Sequence, residues 1–257
     1  MKYELELAAA RPETAASVMM TLVDEIRLIR KNPDRLINEM MADRNYVVSF
    51  VNAHAMNLAC QSAQFMHALR SADLLLRDGA GMQILLTAIG KDPGLNMNGT
   101  DFIPKLILAC KDHPIALCGS TASTAAAAAA WLEQSGAHKV THCDGFQPLN
   151  HYLQMLRAQR PRIVILGMGM PKQELLSAMI ARDLPGPMLV INGGAILDFM
   201  AHRVRRAPRL MRRLGLEWVF RLLLEPHRLW RRYLLGNFIF LWRTAQIMLT
   251  RRNPKPG

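Results

Sequence analysis

The sequence has few features that could cross-link the fold or form a membrane-spanning segment. Its four cysteines are widely spaced and include no Cys-x-x-Cys pair, which argues against a zinc ribbon or a dithiol redox motif; they are Cys60, Cys110, Cys118 and Cys143. We expect reduced core thiols in a cytoplasmic protein. The longest apolar stretches, such as residues 238–242, are far shorter than the roughly 20 residues that cross a bilayer. The N-terminus is acidic and lacks an apolar run, so we expect no signal peptide.

Several motifs of nucleotide-dependent and hydrolytic enzymes are also missing. There is no Walker A lysine motif and no Gly-x-Ser-x-Gly elbow, and the absence of Asp-x-Asp argues against a metal-bridged diphosphate site. The stretch from Gly167 to Lys172 departs from the dinucleotide fingerprint because Pro171 and Lys172 replace its last glycine region, which disfavours a dehydrogenase. The eight histidines have no ligand spacing, so we predict neither a metal site nor a bound cofactor.

What is abundant is arginine near the C-terminus. The net charge is +12, and the C-terminal segment (residues 201–257) carries thirteen Arg and one Lys against only Glu217 and Glu225. That segment accounts for the whole excess, since residues 1–200 hold 18 basic and 18 acidic groups. Its arginines alternate with Leu, Trp, Phe and Tyr in predicted helices that break at Gly215, Pro226 and Gly236. Such a segment is typical of attachment to an anionic surface.

The preceding part alternates strands with helices. Apolar runs predict strands at 46–51, 73–76, 115–120, 139–143, 162–166 and 188–191, and helical spacing predicts helices at 13–31, 55–71, 80–89, 101–111, 121–134, 152–160 and 175–182. This order predicts an α/β fold with a Rossmann-like, largely parallel sheet and flanking helices. We divide the chain into an α/β catalytic domain, 1–200, and a basic helical C-terminal appendage, 201–257.

Polar or glycine-rich turns follow most of the predicted strands, where ligands bind in doubly wound sheets. A glycine turn or a helix N-terminus can admit a phosphate, although each turn alone is a weak signal and most such turns are plain tight turns. Asp78 stands out because it follows an apolar strand and precedes Gly-Ala-Gly. Spacing leaves two roles open for it: a partly desolvated general base, or a helix cap.

Taken in chain order, these turns resemble the WecG/TagA/CpsF family of bacterial glycosyltransferases over roughly residues 45–235. The stretches that carry the resemblance are Val51-Asn-Ala-His54, 72–81, Asn98-Gly-Thr-Asp101, 166–174, 192–198, Arg206-Ala-Pro208, Gly215-Leu-Glu-Trp218, Glu225-Pro226 and Arg231-Arg-Tyr233. The combination of Pro-Lys-Gln-Glu, Arg-Ala-Pro and Gly-Leu-Glu-Trp is specific, whereas each piece alone is weak.

The resemblance implies a membrane-associated, metal-independent, inverting hexosyltransferase. Its members move a sugar from a UDP donor to a monosaccharide on undecaprenyl diphosphate, during synthesis of teichoic acid, exopolysaccharide or other surface polysaccharides. We therefore expect a peripheral protein at the cytoplasmic face of the bacterial plasma membrane. N-acetylmannosamine, its uronic acid and glucose all occur as the transferred sugar in the family.

The resemblance also implies roles for individual residues. Asp78 would be the general base, with Asn52, Asn96 and Gln173 in the sugar pocket. We assign UDP binding to the turns after the strands, at Gly119, Gly145, Phe146, Gly167, Gly169, Lys172, Gly193, Gly194 and Asp198. The arginines that would meet the diphosphate or the membrane, and close over the site, are Arg206, Arg209, Arg212, Arg213, Arg221, Arg228, Arg231 and Arg232.

Two positions depart from the family pattern. Phe50 stands where a threonine is usual, two residues before Asn52, and Asn96 replaces an arginine three residues before Gly99. Both lie near the expected acceptor pocket, so they bear on which sugars are used.

Alternatives remain open for the basic segment. Arginines interleaved with aromatics also suit nucleic-acid binding, and a basic α/β protein that binds nucleic acid or anionic lipid without transferase activity is the competing hypothesis. The apolar content of the segment favours a membrane surface, and we predict no nucleic-acid partner. A helix pair packed in the core with solvated arginines is the plain structural alternative. Self-association into a homo-oligomer is left open.

Overall fold

The computed structural model describes residues 14–252. The first half contains, in order, α1 (Ala15–Glu25), β1 (Ile26–Arg27), α2 (Arg35–Met40), β2 (Tyr46–Val51), α3 (Ala53–Ala59), α4 (Ala63–Arg70), β3 (Leu74–Arg77), α5 (Gly79–Ala88) and α6 (Gly99–Ala109). The second half continues with β4 (Ile115–Gly119), α7 (Ala122–Gln134), β5 (Val140–Cys143), α8 (Leu149–Gln159), β6 (Ile163–Gly167), α9 (Lys172–Asp183), β7 (Leu189–Asn192) and α10 (Ile196–Met200).

The seven strands form one parallel sheet in the order β1-β3-β2-β7-β6-β4-β5. Strands β2, β3, β4, β6 and β7 are buried along their whole length, as expected for a parallel sheet covered on both faces. Helices α2, α6, α7 and α10 pack on one face, and α1, α3, α4, α5, α8 and α9 pack on the other. The predicted α/β fold with a Rossmann-like parallel sheet is confirmed.

Two element boundaries differ from the prediction for tertiary reasons. The predicted helix 13–31 ends at Glu25, because Ile26 and Arg27 pair with Leu75 and Leu76 of β3 as an edge strand. The predicted helix 55–71 is two helices, and the second begins where the Ser62 hydroxyl accepts from the Phe65 amide.

The C-terminal segment begins with an irregular stretch, residues 201–208, and is mostly helical from Arg209 to Arg252. It comprises α11 (Arg209–Arg213), α12 (Glu217–Leu224), α13 (Pro226–Trp230), a π-helical turn (Arg231–Leu235) and α14 (Gly236–Arg252). The predicted breaks at Gly215 and Pro226 are confirmed. The break at Gly236 is wrong: Gly236 has helical dihedrals, and its carbonyl accepts from Asn57 Nδ2 at 2.7 Å. This external donor supports the backbone beside a π turn, where the regular ladder is interrupted.

The last helix belongs to the core of the α/β unit. Phe240 and Ile247 are buried in the same cluster as α1 and α3, and the side chain of Phe240 lies against Gly81 at the start of α5. The plain structural alternative therefore describes part of this helix correctly. The division at residue 200 stays a prediction. Within residues 14–252, no helix combines the length and the apolar character needed to cross a membrane.

Candidate functional site

The polar turns meet at the carboxyl edge of the sheet, where the helices change face. Strands β2 and β7 are neighbours, yet α3 leaves β2 toward one face and α10 leaves β7 toward the other. The same divergence separates β4 from β6, because α7 and α9 lie on opposite faces. Such points open a crevice beyond the strand ends in doubly wound sheets. The fold therefore brings the turns after β2, β3, β4, β6 and β7 to one edge.

Asp78 occupies the N-cap position of α5 but does not cap the helix with its side chain. Asn96 takes that role instead, since its Oδ1 accepts from the Gly79 amide at 2.8 Å. The Asp78 carboxylate accepts a hydrogen bond from Asn52 Nδ2 at 3.3 Å, and the side chain is only half-buried. Of the two roles left open by the sequence, helix capping is therefore wrong, and the carboxylate is available for chemistry.

The charges around Asp78 compete with its burial. Burial raises the pKa of the Asp78 carboxyl above its ordinary 3.8, while the hydrogen bond from Asn52 and the charges of Arg232, Arg77 and Arg221 oppose that rise. A partly desolvated carboxylate with a raised pKa is a stronger base than an exposed one, and its ionised form is suited to take a proton from a hydroxyl.

Arg77 is a buried cation that sequence reasoning did not single out. It is 2% exposed, and its guanidinium donates to the carbonyls of Gly79, Gly94 and Leu95. It thereby ties the loop 90–98 to the first turn of α5, next to Asp78. The sequence signal for it was weak: Arg77 follows an apolar strand inside the 72–81 stretch. Arginine is rarely buried in a core, so its place there was unusual.

Asn52 orients the other side of this pocket. Its Oδ1 caps α3 by accepting from the amides of His54 and Ala55, each at 3.1 Å, so its Nδ2 is left to donate to Asp78. His54 is half-buried beside it, and burial, together with the charge of Arg232, lowers its pKa to about 4. A neutral imidazole therefore lies beside Asn52, a position that the absence of ligand spacing among the histidines did not indicate.

Phe50 and Asn96, the two departures from the family pattern, have different positions. Phe50 is 5% exposed in the sheet core, where it packs under the turn at Gly99. Its side chain points into the sheet face, and the expectation that it lies near the acceptor pocket stays a prediction. Asn96 is at the pocket, where it holds the Gly79 amide.

The glycine turns predicted to bind UDP fall into two groups. At Gly119 a Cβ would lie 2.3 Å from the backbone of Gly167, and at Gly145 it would lie 3.0 Å from the Ser120 amide. These glycines let the turns after β4, β5 and β6 pack on one another. Gly193 similarly packs against Ile196, whereas Gly169 and Gly194, with φ of 78° and 61°, face open space where a ligand could approach.

Lys172 and Asp198 support loops in this structure. Lys172 Nζ donates to the carbonyls of Gly145 and Gln147, each at 2.7 Å, and fixes the loop whose tip is Phe146. Phe146 is 77% exposed, so its ring is free to meet a planar group. Asp198 Oδ1 accepts from the Ser120 hydroxyl at 2.7 Å. The assignment of these residues to UDP stays a prediction.

Gln173 and Glu174 form a buried polar relay under Gly194. The Gly194 amide donates to Gln173 Oε1 at 3.0 Å, and Gln173 Nε2 donates to Glu174 Oε1 at 2.8 Å. Gln173 is 1% exposed, and both ends of its amide are used in this relay, so it positions the turn here rather than facing the pocket. Its expected contact with a sugar stays a prediction.

Glu174 should make stability depend on pH. Burial raises its pKa from 4.5 to about 7, so the folded protein holds a proton that the unfolded chain releases. The resulting stabilisation is present below pH 4.5 and is lost as the pH rises through 7. We expect Glu174→Gln, which mimics the protonated form, to raise the free energy of unfolding by about 3 kcal/mol at pH 8 and to change it little at pH 4.

Denaturant unfolding of Glu174→Gln at several pH values measures this effect, with the exposed Glu133→Gln as the matched control. Equal pH dependence in the wild type and Glu174→Gln would show that the carboxyl is not held protonated in the fold.

The arginines of the C-terminal segment lie in different surroundings. Arg206 and Arg212 are ion-paired to Asp101, and Arg228 is paired to Glu225 with 2.8 Å between Nε and Oε2. Arg232 is half-buried, acts electrostatically on Asp78 and Glu174, and makes no carboxylate ion pair among the described residues. Arg209, Arg213 and Arg231 are exposed. The predicted arginine set is therefore split between the pocket, the supporting contacts and the surface.

Fold and site together define a doubly wound α/β protein whose polar crevice is flanked by a basic helical segment. The sequence model of the glycosyl transferase WecG/TagA/CpsF family matches residues 17–254. The chain belongs to this family and is a glycosyltransferase.

One curated relative is the N-acetylglucosaminyldiphosphoundecaprenol N-acetyl-beta-D-mannosaminyltransferase of Bacillus spizizenii (strain ATCC 23059 / NRRL B-14472 / W23). It is 28% identical over 203 residues, which cover 77% of each chain. The predicted family is therefore confirmed, and it favours the transferase over the nucleic-acid-binding alternative.

Proposed function

We propose that this protein transfers a hexose from a UDP-sugar to a monosaccharide carried on undecaprenyl diphosphate, with inversion, during synthesis of a surface polysaccharide. The transferred sugar would be N-acetylmannosamine, its uronic acid or glucose. The observation that carries the proposal is the position of Asp78 at the carboxyl edge of the sheet. Its carboxylate does not cap α5, and Arg221 and Arg232 are close enough to affect its pKa. The name of the relative supports the class of acceptor.

The proposed reaction is a single displacement. Asp78 takes the proton of the acceptor hydroxyl, and that oxygen forms a bond to the anomeric carbon of the donor sugar. The bond from this carbon to the diphosphate oxygen breaks, and UDP leaves with the electron pair. Asn52 holds the carboxylate in place during the proton transfer.

Stabilisation of the departing diphosphate falls to fixed positive groups. Arg232 Nε and Arg221 Nε are buried and have no hydrogen-bond partner among the described residues. A buried donor without a hydrogen-bond partner costs folding free energy. An anion that binds there would satisfy the donor with a charge-assisted hydrogen bond. The open side of Gly169 and Gly194 offers backbone approach to the same ligand.

Metal independence is part of the proposal. Within residues 14–252 no three His, Cys, Asp or Glu side chains are grouped so that they could share a metal ion. An assay of UDP-sugars against undecaprenyl-diphosphate-linked GlcNAc and Glc, with and without EDTA, tests donor, acceptor and metal together. We expect one pair to react equally in both conditions; no turnover with any pair would refute the proposed function, and loss in EDTA would refute the metal-free route.

The surface of the C-terminal segment supports membrane attachment. Among the described residues, thirteen of the seventeen exposed large apolar side chains lie in it, including Phe238 at 70% and Trp242 at 60% exposed. Exposed arginines alternate with them, as on a helix that buries apolar side chains among headgroups while its cations meet anionic lipid. We propose a peripheral location on the cytoplasmic face of the plasma membrane.

We expect the double variant Phe238→Ser, Trp242→Ser to bind anionic vesicles at least tenfold more weakly, because burying one such side chain is worth roughly 1.5–3 kcal/mol. Flotation with phosphatidylglycerol-containing liposomes measures the binding. The control Leu108→Ser removes an exposed apolar side chain of α6 and should leave flotation unchanged. Undiminished flotation of the double variant would contradict the assigned membrane contact.

A further inference from the structure

Three stretches that are far apart in the sequence meet in one ion-pair network. Asp101 lies in the first turn of α6, Arg206 lies between α10 and α11, and Glu217 begins α12. Arg206 joins the other two: its Nη1 is 2.9 Å from Asp101 Oδ1 and its Nε is 3.1 Å from Glu217 Oε1. We call this set the Arg206 bridge.

Neighbouring groups hold the Arg206 bridge in place. Asn98 Nδ2 donates to Asp101 Oδ2 at 2.9 Å, and Arg212 Nη1 is 3.6 Å from Asp101 Oδ1. The guanidiniums of Arg206 and Arg221 both lie over the ring of Phe199, at 5.8 and 5.4 Å from its centroid. A planar guanidinium that faces two carboxylates and a ring is fixed in orientation. The ammonium of a lysine could not make the same set of directed contacts.

The Arg206 bridge lies close to Asp78. Between its ends, the chain passes over the first turn of α5: a Cβ at Gly215 would lie 2.9 Å from the Cβ of Ala80, two residues after Asp78. The charge of Asp78 contributes to the raised pKa of Glu217, after burial as the main cause. One helical turn beyond Glu217, α12 carries Arg221, whose charge acts on Asp78.

Arg206 is thus held between two carboxylates at 2.9 and 3.1 Å. Arg221 has a looser ion pair, 3.7 Å from Glu225, and Arg232 makes no carboxylate ion pair among the described residues. We propose that Arg206 is a positioning residue: through Asp101 and Glu217 it docks the C-terminal segment so that Arg221 and Arg232 reach the reacting groups, and it does not itself bind the diphosphate. The inference rests on the proposed function, since it assigns which arginines meet the leaving group and which one places them.

The matched pair Arg206→Ala and Arg205→Ala tests this role. The two positions are adjacent and lose the same charge, but Arg205 is exposed and outside the network. We expect Arg206→Ala to lower kcat about 100-fold, the typical effect of a small displacement of catalytic groups. The KM for the UDP-sugar should change less than about threefold, because the loss falls on the transition state. Arg205→Ala should match the wild type in both.

A second readout is independent of activity. Amide hydrogen exchange in residues 201–232 should be faster in Arg206→Ala than in Arg205→Ala, while exchange in β2, β6 and β7 and binding to anionic vesicles stay unchanged. Asp101→Asn keeps the side-chain shape and removes one ion pair, so it serves if Arg206→Ala fails to fold. The double variant Arg206→Ala, Asp101→Asn should lose no more activity than Arg206→Ala alone, since the effects of substitutions within one ion-pair network are not additive.

Equal kcat and equal exchange in Arg206→Ala and Arg205→Ala would overturn the proposal, and so would additive losses in the double variant. A large rise in KM with kcat retained would instead make Arg206 a ligand. A wild type that turns over none of the substrates would refute the proposed function, and the exchange comparison would still decide whether Arg206 docks the segment.

Discussion

Asp78→Asn is expected to abolish measurable glycosyl transfer while leaving UDP bound. Removal of a general base costs about 10²–10⁴-fold in rate, and the amide cannot accept the proton that the acceptor hydroxyl must lose. The substitution keeps the size of the side chain next to Asn52, so the fold should persist. Turnover of the UDP-sugar by Asp78→Asn, beside calorimetric titration with UDP, measures both parts of this result.

The pH dependence of turnover gives the control for Asp78. The carboxylate must be ionised to act, and burial raises its pKa, so activity should fall on the acid side at a pH above the ordinary 3.8. Asn52→Ala removes a hydrogen bond that favours the ionised form, and its acid limb should move to higher pH. Full activity in Asp78→Asn, or an acid limb that does not respond to Asn52→Ala, would contradict the assignment of the base.

Phe240→Ala is expected to destabilise the whole fold by about 3–5 kcal/mol, as truncation of a buried aromatic side chain typically does. Phe240 is 1% exposed and shares a core cluster with α1, α3 and α5, although it lies only 17 residues before Gly257. The free energy of unfolding from denaturant titration measures the loss. The result separates a helix that completes the core from a detachable appendage.

Phe238→Ala is the matched control, since it lies two residues away on the same helix and is 70% exposed. We expect it to change the free energy of unfolding by less than about 0.5 kcal/mol, as is usual for surface positions. Equal effects of the two substitutions would show that α14 does not pack as described. For the same reason, deletion of residues 201–257 is an unsuitable test of membrane binding, because it would expose the face of α1, α3 and α5 that α14 covers.

Most of the sheet was predictable because its strands are short, apolar and followed by turn residues. The run from Tyr46 to Val51 illustrates this: it is buried along its length, and its end places Asn52 at the edge that holds the site. The two-residue strand β1 was not predictable, since Ile26 continues the helical spacing of α1 and pairs with β3 only when the sheet has formed. A local sequence pattern identifies strands that are long and apolar enough to be recognised alone. A short edge strand forms only because a neighbouring strand is there to pair with it.

The charge imbalance of the C-terminal segment was visible in composition, but the roles of its arginines were not. The sequence treats Arg206 and Arg232 alike. In the fold, Arg206 is held between two carboxylates, and Arg232 is half-buried near Asp78 without such a partner. Charge composition is a sum over residues, whereas the partner of each charge depends on which distant segment lies within about 4 Å.

By itself, the sequence determined the α/β class, the family, the position of Asp78 at a strand end and the basic, apolar character of the last fifth of the chain. These follow from periodicity, turn residues and motif order, which are properties of neighbouring positions. Only the tertiary structure decided that Asn96 caps α5 in place of Asp78, that Phe50 lies in the core and that Phe240 completes it. These features depend on contacts between residues 17 or more positions apart, which close packing selects and local sequence does not encode.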